Sequence, residues 1–477
     1  MNLRSRLRRF AVVVAALGIP AVCGATTVAA PRSPTHVRHT DSSPAHLRLE
    51  WKDDSADETG FRIWRREAGA PRWWLAGEVP ANTTHFDDGG MQHETSYEHR
   101  VAAFNAVGES AGVESGAGCT QRMRAHLQPT LVRPVDHLYA GAPSALGLRD
   151  GRLLVIYFIK ELARPRLHMN TSLFQVESAD QGRTWSKPRL LFEGDLKTAW
   201  GKPALTYLPD GSIGLTYSKF GLDARYKIVT RARLFVRSFD HAATWSRPVQ
   251  VSDDMSANND TLIVGDNGRL LQALSSYAPA AQIVASDDLG ATWRNLAQVS
   301  VKALPTGEAA LTHRGGGRLL FLSRHEAPFY FLSASEDNGA TWQPAGTLFL
   351  GGGDNPPKLA RIPGTDTLVA VVHSWGTGRR SKDRRQLGSV ISRDGGRTWD
   401  NFRLLGHFPD GKDGFLQHSL TFVGDDAYLL YGGGSNDDTA DGTDLLLLRV
   451  KKDFFTSATP WPYDWRGAPL PSDSAKQ

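Results

Sequence analysis

The chain has 477 residues, of which 40% are hydrophobic and 22% charged, so a disordered or fibrous protein is excluded. Its formal charge of +5 falls to +1 without four arginines in the first thirty residues, and we therefore expect no nucleic-acid partner.

The first thirty residues have the pattern of a secretion signal. Arg4, Arg6, Arg8 and Arg9 precede an apolar run over residues 10–22, and small residues follow it. A transmembrane anchor is the alternative, but the run is shorter than the roughly 20 apolar residues that span a bilayer. We predict a signal peptide over 1–30, no membrane span, and a secreted or periplasmic protein.

Residues 31–120 have the pattern of a small β-sandwich. Apolar and polar residues alternate over 47–51, 60–64 and 97–104, and turn-forming residues separate these predicted strands. The Trp51 strand and the run over 97–110 resemble a fibronectin type III module. That resemblance implies an immunoglobulin-like sandwich acting as a spacer or docking unit. Residues 121–131 are predicted to be a linker.

One eight-residue motif, called the octet below, occurs five times. It reads Ser-x-Asp-x-Gly-x-Thr-Trp, with Ala in place of Gly in the second copy. The octets begin at Ser178, Ser238, Ser286, Ser335 and Ser392. Repeats of about fifty residues with several strands each are typical of a β-propeller. The octet resembles the Asp box, and we expect its Asp and Trp to be structural.

A second repeat precedes each octet and marks a strand start. Six such starts predict a six-bladed propeller over 132–455, closed by a strand near Leu131 and followed by a tail over 456–477. Residues at the strand starts should converge at one mouth of the channel. As substrate-binding residues we predict Tyr139, Lys202, Asn259, Asp260, Asn355 and Lys358. The alternative is that individual members only fill the channel with hydrogen bonds.

Together these features resemble the sialidase superfamily. The resemblance implies a substrate carboxylate held by three arginines, a Tyr nucleophile activated by Glu, and an Asp acid/base. Glu308 and Arg324, sixteen residues apart, resemble the family's Glu and second arginine. Arg384 or Arg385 is similar to the third.

Three family positions differ. Gly141-Ala142 replaces the first arginine, and residues 152–176 contain no Asp, so that Glu161 and His168 are the substitutes there. The expected Tyr region instead contains Gln417 and His418. We therefore expect any hydrolysis to use water positioned by Gln417, His418 and Glu308, with inversion.

The sequence therefore predicts an all-β protein, a sialidase-like propeller behind an immunoglobulin-like sandwich. Its predicted function is a glycoside hydrolase of exo-sialidase type acting on a terminal sialic acid or related acidic sugar. The alternatives are a non-catalytic glycan-binding propeller, and a hydrolase or lyase for another acidic polysaccharide. We predict catalytic roles for Glu308, Arg324, Arg384, Gln417 and His418, and no cofactor or metal. Calcium in the loop at 435–438 is left open, as is the oligomeric state.

Overall fold

The computed structural model describes most of the chain. The described residues are 29–43, 46–89, 91, 95–120, 130–133, 138–161, 171–225, 227–253, 261–275, 278–300, 306–325, 329–348, 355–374, 386–407, 413–435 and 443–457. They form β-strands and one 3-10 turn, Lys452–Phe455, which confirms the all-β prediction. Within these ranges no helix is long and apolar enough to cross a bilayer.

The N-terminal module consists of two sheets that share a core. Its strands are β1 (Thr35–Ser43), β2 (His46–Lys52), β3 (Gly60–Glu67), β4 (Trp74–Pro80), β5 (His85–Gly89), β6 (Ser96–Phe104) and β7 (Val113–Cys119). One sheet has the order β1-β2-β5 and the other β4-β3-β6-β7. Leu49 and Trp51 of the first sheet pack against Phe61, Ile63 and Val101 of the second. Alternation of apolar and polar residues gives each strand the single buried face that this core needs.

The rest of the described chain contains twenty-four strands. They are β8 (Thr130–Arg133), β9 (Leu138–Gly147), β10 (Leu153–Glu161), β11 (Thr171–Ser178), β12 (Arg189–Phe192), β13 (Thr198–Tyr207), β14 (Ile213–Leu222), β15 (Ile228–Ser238), β16 (Val249–Ser252), β17 (Leu262–Val264), β18 (Leu270–Leu274), β19 (Ala280–Ser286), β20 (Arg294–Ser300), β21 (Ala309–Gly315), β22 (Arg318–Ser323), β23 (Tyr330–Ser335), β24 (Gln343–Leu348), β25 (Lys358–Arg361), β26 (Leu368–Ser374), β27 (Gln386–Ser392), β28 (Asp400–His407), β29 (Asp413–Val423), β30 (Asp426–Ser435) and β31 (Thr443–Lys451).

These strands form antiparallel sheets in chain order. β13–β16, β17–β20, β21–β24 and β25–β28 are separate four-stranded sheets. A larger sheet has the order β12-β11-β10-β9-β31-β30-β29, with β8 on β31. Its two halves meet at a single parallel pair, Tyr139 with Thr443. The predicted pairing near Leu131 is confirmed, because Leu131 lies opposite Leu446.

The first strands of successive sheets contact one another. β9 contacts β13, β13 contacts β17, β17 contacts β21, β21 contacts β25, β25 contacts β29, and β29 contacts β9. Segments of all six line one cavity of about 410 Å³. These six strands therefore lie side by side around one cavity.

The octets form the turns between the third and fourth strands of five four-strand units. In the first, Ser178 Oγ donates to Asp180 Oδ1 (2.8 Å), and the Gly182 N–H donates to Ser178 Oγ (2.8 Å). The backbone N–H of Thr184 donates to Asp180 Oδ1 (2.8 Å), and its hydroxyl donates to Oδ2 (2.6 Å). The same bonds recur in the other four octets. The octet carboxylates are thus occupied by the turn itself, and their tryptophans pack on the sheet cores.

The N-terminal module packs against the sheet β25–β28. Gly89 of β5 lies so close to the ring of Phe402 in β28 that a Cβ there would clash with it. The Gln386 side chain donates to the Met91 carbonyl oxygen at 2.8 Å, and both residues are buried. The module is therefore joined to this sheet by both packing and hydrogen bonding.

Candidate functional site

Glu308 and Arg324 lie opposite each other, where the β21–β22 ladder continues beyond its strands. The Gly307 N–H donates to the Arg324 carbonyl (2.8 Å), and the Arg324 N–H donates to the Glu308 carbonyl (3.0 Å). Their side chains also meet, since Arg324 Nη1 donates to Glu308 Oε2 at 2.6 Å. Gly307 leaves room for this, because a Cβ there would lie 3.1 Å from Arg324 Cγ. The predicted proximity of Glu308 and Arg324 is thus present in the structure.

Lys202 reaches the same carboxylate from another sheet. Its Nζ lies 3.3 Å from Glu308 Oε1, and the pair is almost wholly buried. The β13–β14 register breaks between Gly201 and Ala204, and Lys202 has a φ of +53°. Such a bulge re-aims a side chain away from the regular pleat. Here it directs an ammonium group toward Glu308.

The fully buried Arg233 holds the bulge at Lys202 in place. Arg233 Nη1 donates to the Lys202 carbonyl (2.7 Å) and to Ser218 Oγ (3.0 Å). Its Nη2 donates to Thr216 Oγ1 (2.8 Å), and its Nε to Gln272 Oε1 (3.2 Å). These bonds tie β13, β14, β15 and β18 together beneath the site. Arg233 is therefore a positioning residue for Lys202.

Positive charge is in excess around Glu308. Burial alone would raise the pKa of Glu308, but the charges of Lys202 and Arg324 outweigh burial and lower this pKa to about 2. Arg231 also interacts electrostatically with Glu308, while its own burial lowers the pKa of its guanidinium. Among the described residues, one carboxylate thus faces three cations. Such a cluster attracts an anionic ligand.

The other predicted residues lie in different surroundings. Gln417 lies in a register break of β29 comparable to that of Lys202 in β13, and within the described chain its buried Oε1 has no hydrogen-bond partner. His418 is fully buried, with Nε2 3.3 Å from the Val371 carbonyl oxygen and its ring against His373. The catalytic role of His418 stays a prediction.

Asn355 and Lys358 are both buried, and Lys358 lines the central cavity. Tyr139 is placed in β9 by its backbone only. Asn259, Asp260, Arg384 and Arg385 lie outside the described residues, as do His168 and positions 436–438 of the predicted calcium loop. No group of three or more metal-binding side chains occurs in the parts of the chain that the structure describes.

Arg231 was missed by the sequence reasoning, which considered only strand starts. It lies on the third strand of its sheet, opposite Phe220 and two residues before Arg233. The signal that could have found it is the Arg-x-Arg pair, because residues two apart on a strand share a face. Two arginines on one face of a partly buried strand need a polar or charged environment.

Solved sialidases share this fold. The NanB sialidase of Streptococcus pneumoniae matches with a TM-score of 0.56 and 10% identity, covering 88% of this chain and 94% of its own. The leech intramolecular trans-sialidase, solved with 2,7-anhydro-Neu5Ac, matches with a TM-score of 0.54 and 13% identity, covering 90% and 94%. A Dyadobacter fermentans protein of unknown function matches at 0.55 and 16%, covering 69% and 98%. The chain therefore shares its fold with these solved sialidases.

The family assignment rests on the sequence itself. The BNR repeat-like domain family matches residues 151–415, more than half of the chain. This protein is a member of the BNR repeat-like domain family.

Proposed function

We propose that the protein is an exported glycoside hydrolase of exo-sialidase type, acting on a terminal sialic acid or a related acidic sugar. The observation that carries the proposal is the buried Glu308 carboxylate held by Lys202 and Arg324, with Arg231 close by. Lys202 and Arg231 do not correspond in sequence to any of the family's three arginines. They nevertheless supply positive charge that a carboxylate-bearing sugar requires.

The architecture we propose is a closed six-bladed propeller behind a fibronectin type III-like module. Cyclic contacts among the six first strands support closure, with the larger sheet counted as two adjacent blades. The three- and four-stranded sheets around one core support the proposed module. In this arrangement the cluster lies at the channel mouth where the first strands begin.

In the proposed reaction, water attacks the anomeric carbon as the glycosidic C–O bond breaks. The leaving oxygen takes a proton from bulk solvent and the attacking water gives one to bulk solvent, and the anomeric configuration inverts because the water enters on the face opposite the leaving group. A pKa of about 2 keeps Glu308 ionised, so it is not the proton donor. As a fixed anion it stabilises the oxocarbenium-like charge, while Gln417 Oε1, which has no hydrogen-bond partner among the described residues, accepts a hydrogen bond from the water.

A non-catalytic glycan-binding protein is the second candidate. Both oxygens of Glu308 are occupied by cations, which weakens it as a base, and the family's first arginine, Asp and Tyr are absent from the matching positions. A cation cluster around a permanent anion suffices for binding. The two candidates therefore differ only in whether bond cleavage follows binding.

Hydrolysis of a fluorogenic panel of sialosides, uronides and other acidic glycosides tests the proposal. Wild type should cleave at least one member, and Glu308→Gln should lose about 100-fold or more in kcat/KM. Glu336→Gln is the matched control, because it makes the same Glu-to-Gln change at an exposed residue on the octet turn of the sheet β21–β24. If wild type cleaves nothing but binds acidic glycans on an array, the binding candidate replaces the enzyme.

A further inference from the structure

The outer face of the sheet β4-β3-β6-β7 has a stack of alternating cations and indoles, called the Arg–Trp ladder below. Arg66 lies over the ring of Trp73 with its Cζ 4.2 Å from the centroid. Arg100 Cζ lies 5.1 Å from the Trp73 centroid and 5.7 Å from that of Trp64. All four side chains are half-buried, so each also faces solvent.

The charges on this face are unevenly compensated. Arg66 Nε donates to Glu98 at 2.6 Å, and Arg62 pairs with Glu78 (2.8 Å) and Glu109 (3.0 Å). The Arg100 side chain, in contrast, forms no hydrogen bond or ion pair within the described chain, although Glu114 lies opposite it in the β6–β7 ladder, and its guanidinium lies over the two indoles. Its guanidinium therefore keeps its donors available for a ligand.

The backbone makes space for Arg100. Gly112 lies against its stem so closely that a Cβ at 112 would overlap Arg100 Cδ. The two rings further restrict the guanidinium plane, which lowers the entropy lost when it binds a planar anion. The ladder thus presents a preorganised cation between two flat apolar surfaces.

We propose that the Arg–Trp ladder is a binding site for carboxylate-bearing glycans, separate from the site at Glu308. The sugar carboxylate would accept two hydrogen bonds from Arg100, and the C–H face of a pyranose would pack on Trp73 or Trp64. This inference goes beyond the proposed function, because it concerns binding by the N-terminal module and holds whether or not the propeller hydrolyses anything.

A glycan fits the face better than nucleic acid or a membrane. Phosphate backbones are bound by many cations, whereas Arg62 and Arg66 are already paired with carboxylates. Membrane binding uses clusters of basic residues or exposed apolar side chains inserted together, and the ladder offers one uncompensated cation. One charge between two rings matches a sugar with one carboxylate.

Binding of the full chain to polysialic acid, measured by titration calorimetry, tests the proposal, with neutral dextran, duplex DNA and anionic vesicles as comparisons. We expect binding to polysialic acid that weakens about tenfold in Arg100→Gln and in Trp73→Ala. Arg38→Gln is the matched control, since Arg38 is an exposed arginine on the other sheet of the module. Arg324→Gln, which removes a cation from the site at Glu308, is combined with each variant so that binding at that site is measured separately.

The proposal is overturned if Arg100→Gln binds polysialic acid as wild type does, or if dextran, DNA or vesicles bind equally well in an Arg100-dependent way. Unchanged near-ultraviolet circular dichroism of Arg100→Gln and Arg100→Lys shows that the module remains folded. Arg100→Lys should recover only part of the affinity, because it keeps the charge and loses the planar fork. Polysialic acid binding that is retained in Arg324→Gln and weakened in Arg100→Gln separates this site from the one at Glu308.

Discussion

The Gln386 side chain donates a 2.8 Å hydrogen bond to the carbonyl oxygen of Met91, and so links the sheet β25–β28 to the N-terminal module. Gln386 is the first described residue after the segment that contains Arg384, one of the predicted catalytic residues. The module therefore holds the first residue of β27 through a buried hydrogen bond. It supports the sheet β25–β28 in addition to forming its own two-sheet core.

Gly89→Ala should weaken this junction. An added Cβ would overlap the Phe402 ring, which is 3% exposed and part of the sheet core, so the module must shift or the ring must repack. We expect a cost of about 1–3 kcal/mol in thermal unfolding and earlier proteolysis between the two parts. Gly108→Ala is the control, because its Cβ would meet only Ala30 at an ordinary 3.6 Å. Equal melting temperatures for the two variants would contradict the described packing.

Glu308 should make stability sensitive to acid. Its folded pKa of about 2 lies below its ordinary value of 4.5, so its contribution is complete above pH 4.5 and is lost as pH falls toward 2. Denaturant unfolding at a series of pH values should show about 3 kcal/mol of this loss in wild type, and little of it in Glu308→Gln. In Glu336→Gln the wild-type pH dependence should remain. An identical acid profile in all three proteins would refute the ion pairing.

As the pH falls, the N-terminal module should lose stability at a higher pH than the pH at which the contribution of Glu308 is lost. His39 Nε2 lies 2.9 Å from His99 Nδ1, His99 Nε2 lies 2.6 Å from Asp88 Oδ2, and Arg65 pairs with Asp88 at 2.9 Å. Burial, aided by His99, lowers the pKa of His39 to about 4, and burial also lowers the pKa of His99. Because the unfolded chain then binds more protons, stability is complete above about pH 6.5 and falls as pH drops toward 4.

This acid sensitivity can be measured on the full chain as the melting temperature between pH 7.5 and 4.5. His39→Gln should flatten the curve, whereas His36→Gln, an exposed histidine of the same strand, should leave it unchanged. If both substitutions had the same effect, the buried histidine pair would not be its source.

Substitution of an octet glycine tests whether the octet turns also contribute to core packing. Gly290 and Gly151 both have a φ of +90°, but a Cβ at 290 would overlap the Phe235 ring while one at 151 meets nothing within 4 Å. Gly151→Ala should therefore cost only about 1 kcal/mol of backbone strain. Gly290→Ala should cost about 1–3 kcal/mol more in chemical unfolding. Similar values for both would mean that the ring moves without cost.

The sequence predicts those features that depend on repeated local patterns. The octets predict turns at regular intervals, and the structure has them between third and fourth strands. The strand starts predict that Lys202 and Glu308 approach each other although 106 residues separate them. Both predictions work because a repeat gives equivalent positions in equivalent surroundings.

Features that depend on a single pairwise contact could not be predicted in this way. Arg231 lies outside the strand starts, and the Gln386–Met91 bond joins two residues without a recognisable motif. His418 shows a different limit, since a histidine at a strand start reads the same whether it faces a channel mouth or the Val371 carbonyl. Burial is decided by neighbouring sheets, which local sequence does not describe.

The bulge at Lys202 in β13 has a counterpart in β9, the first strand of the preceding four-strand unit. Ala142 has a φ of +42° at a break in the β9–β10 register, before a proline as Lys202 is. One backbone conformation thus accommodates a methyl group in one sheet and a charged ammonium in another. Because the surrounding strands keep this backbone conformation, the side chain at such a bulge can change without a change in the fold.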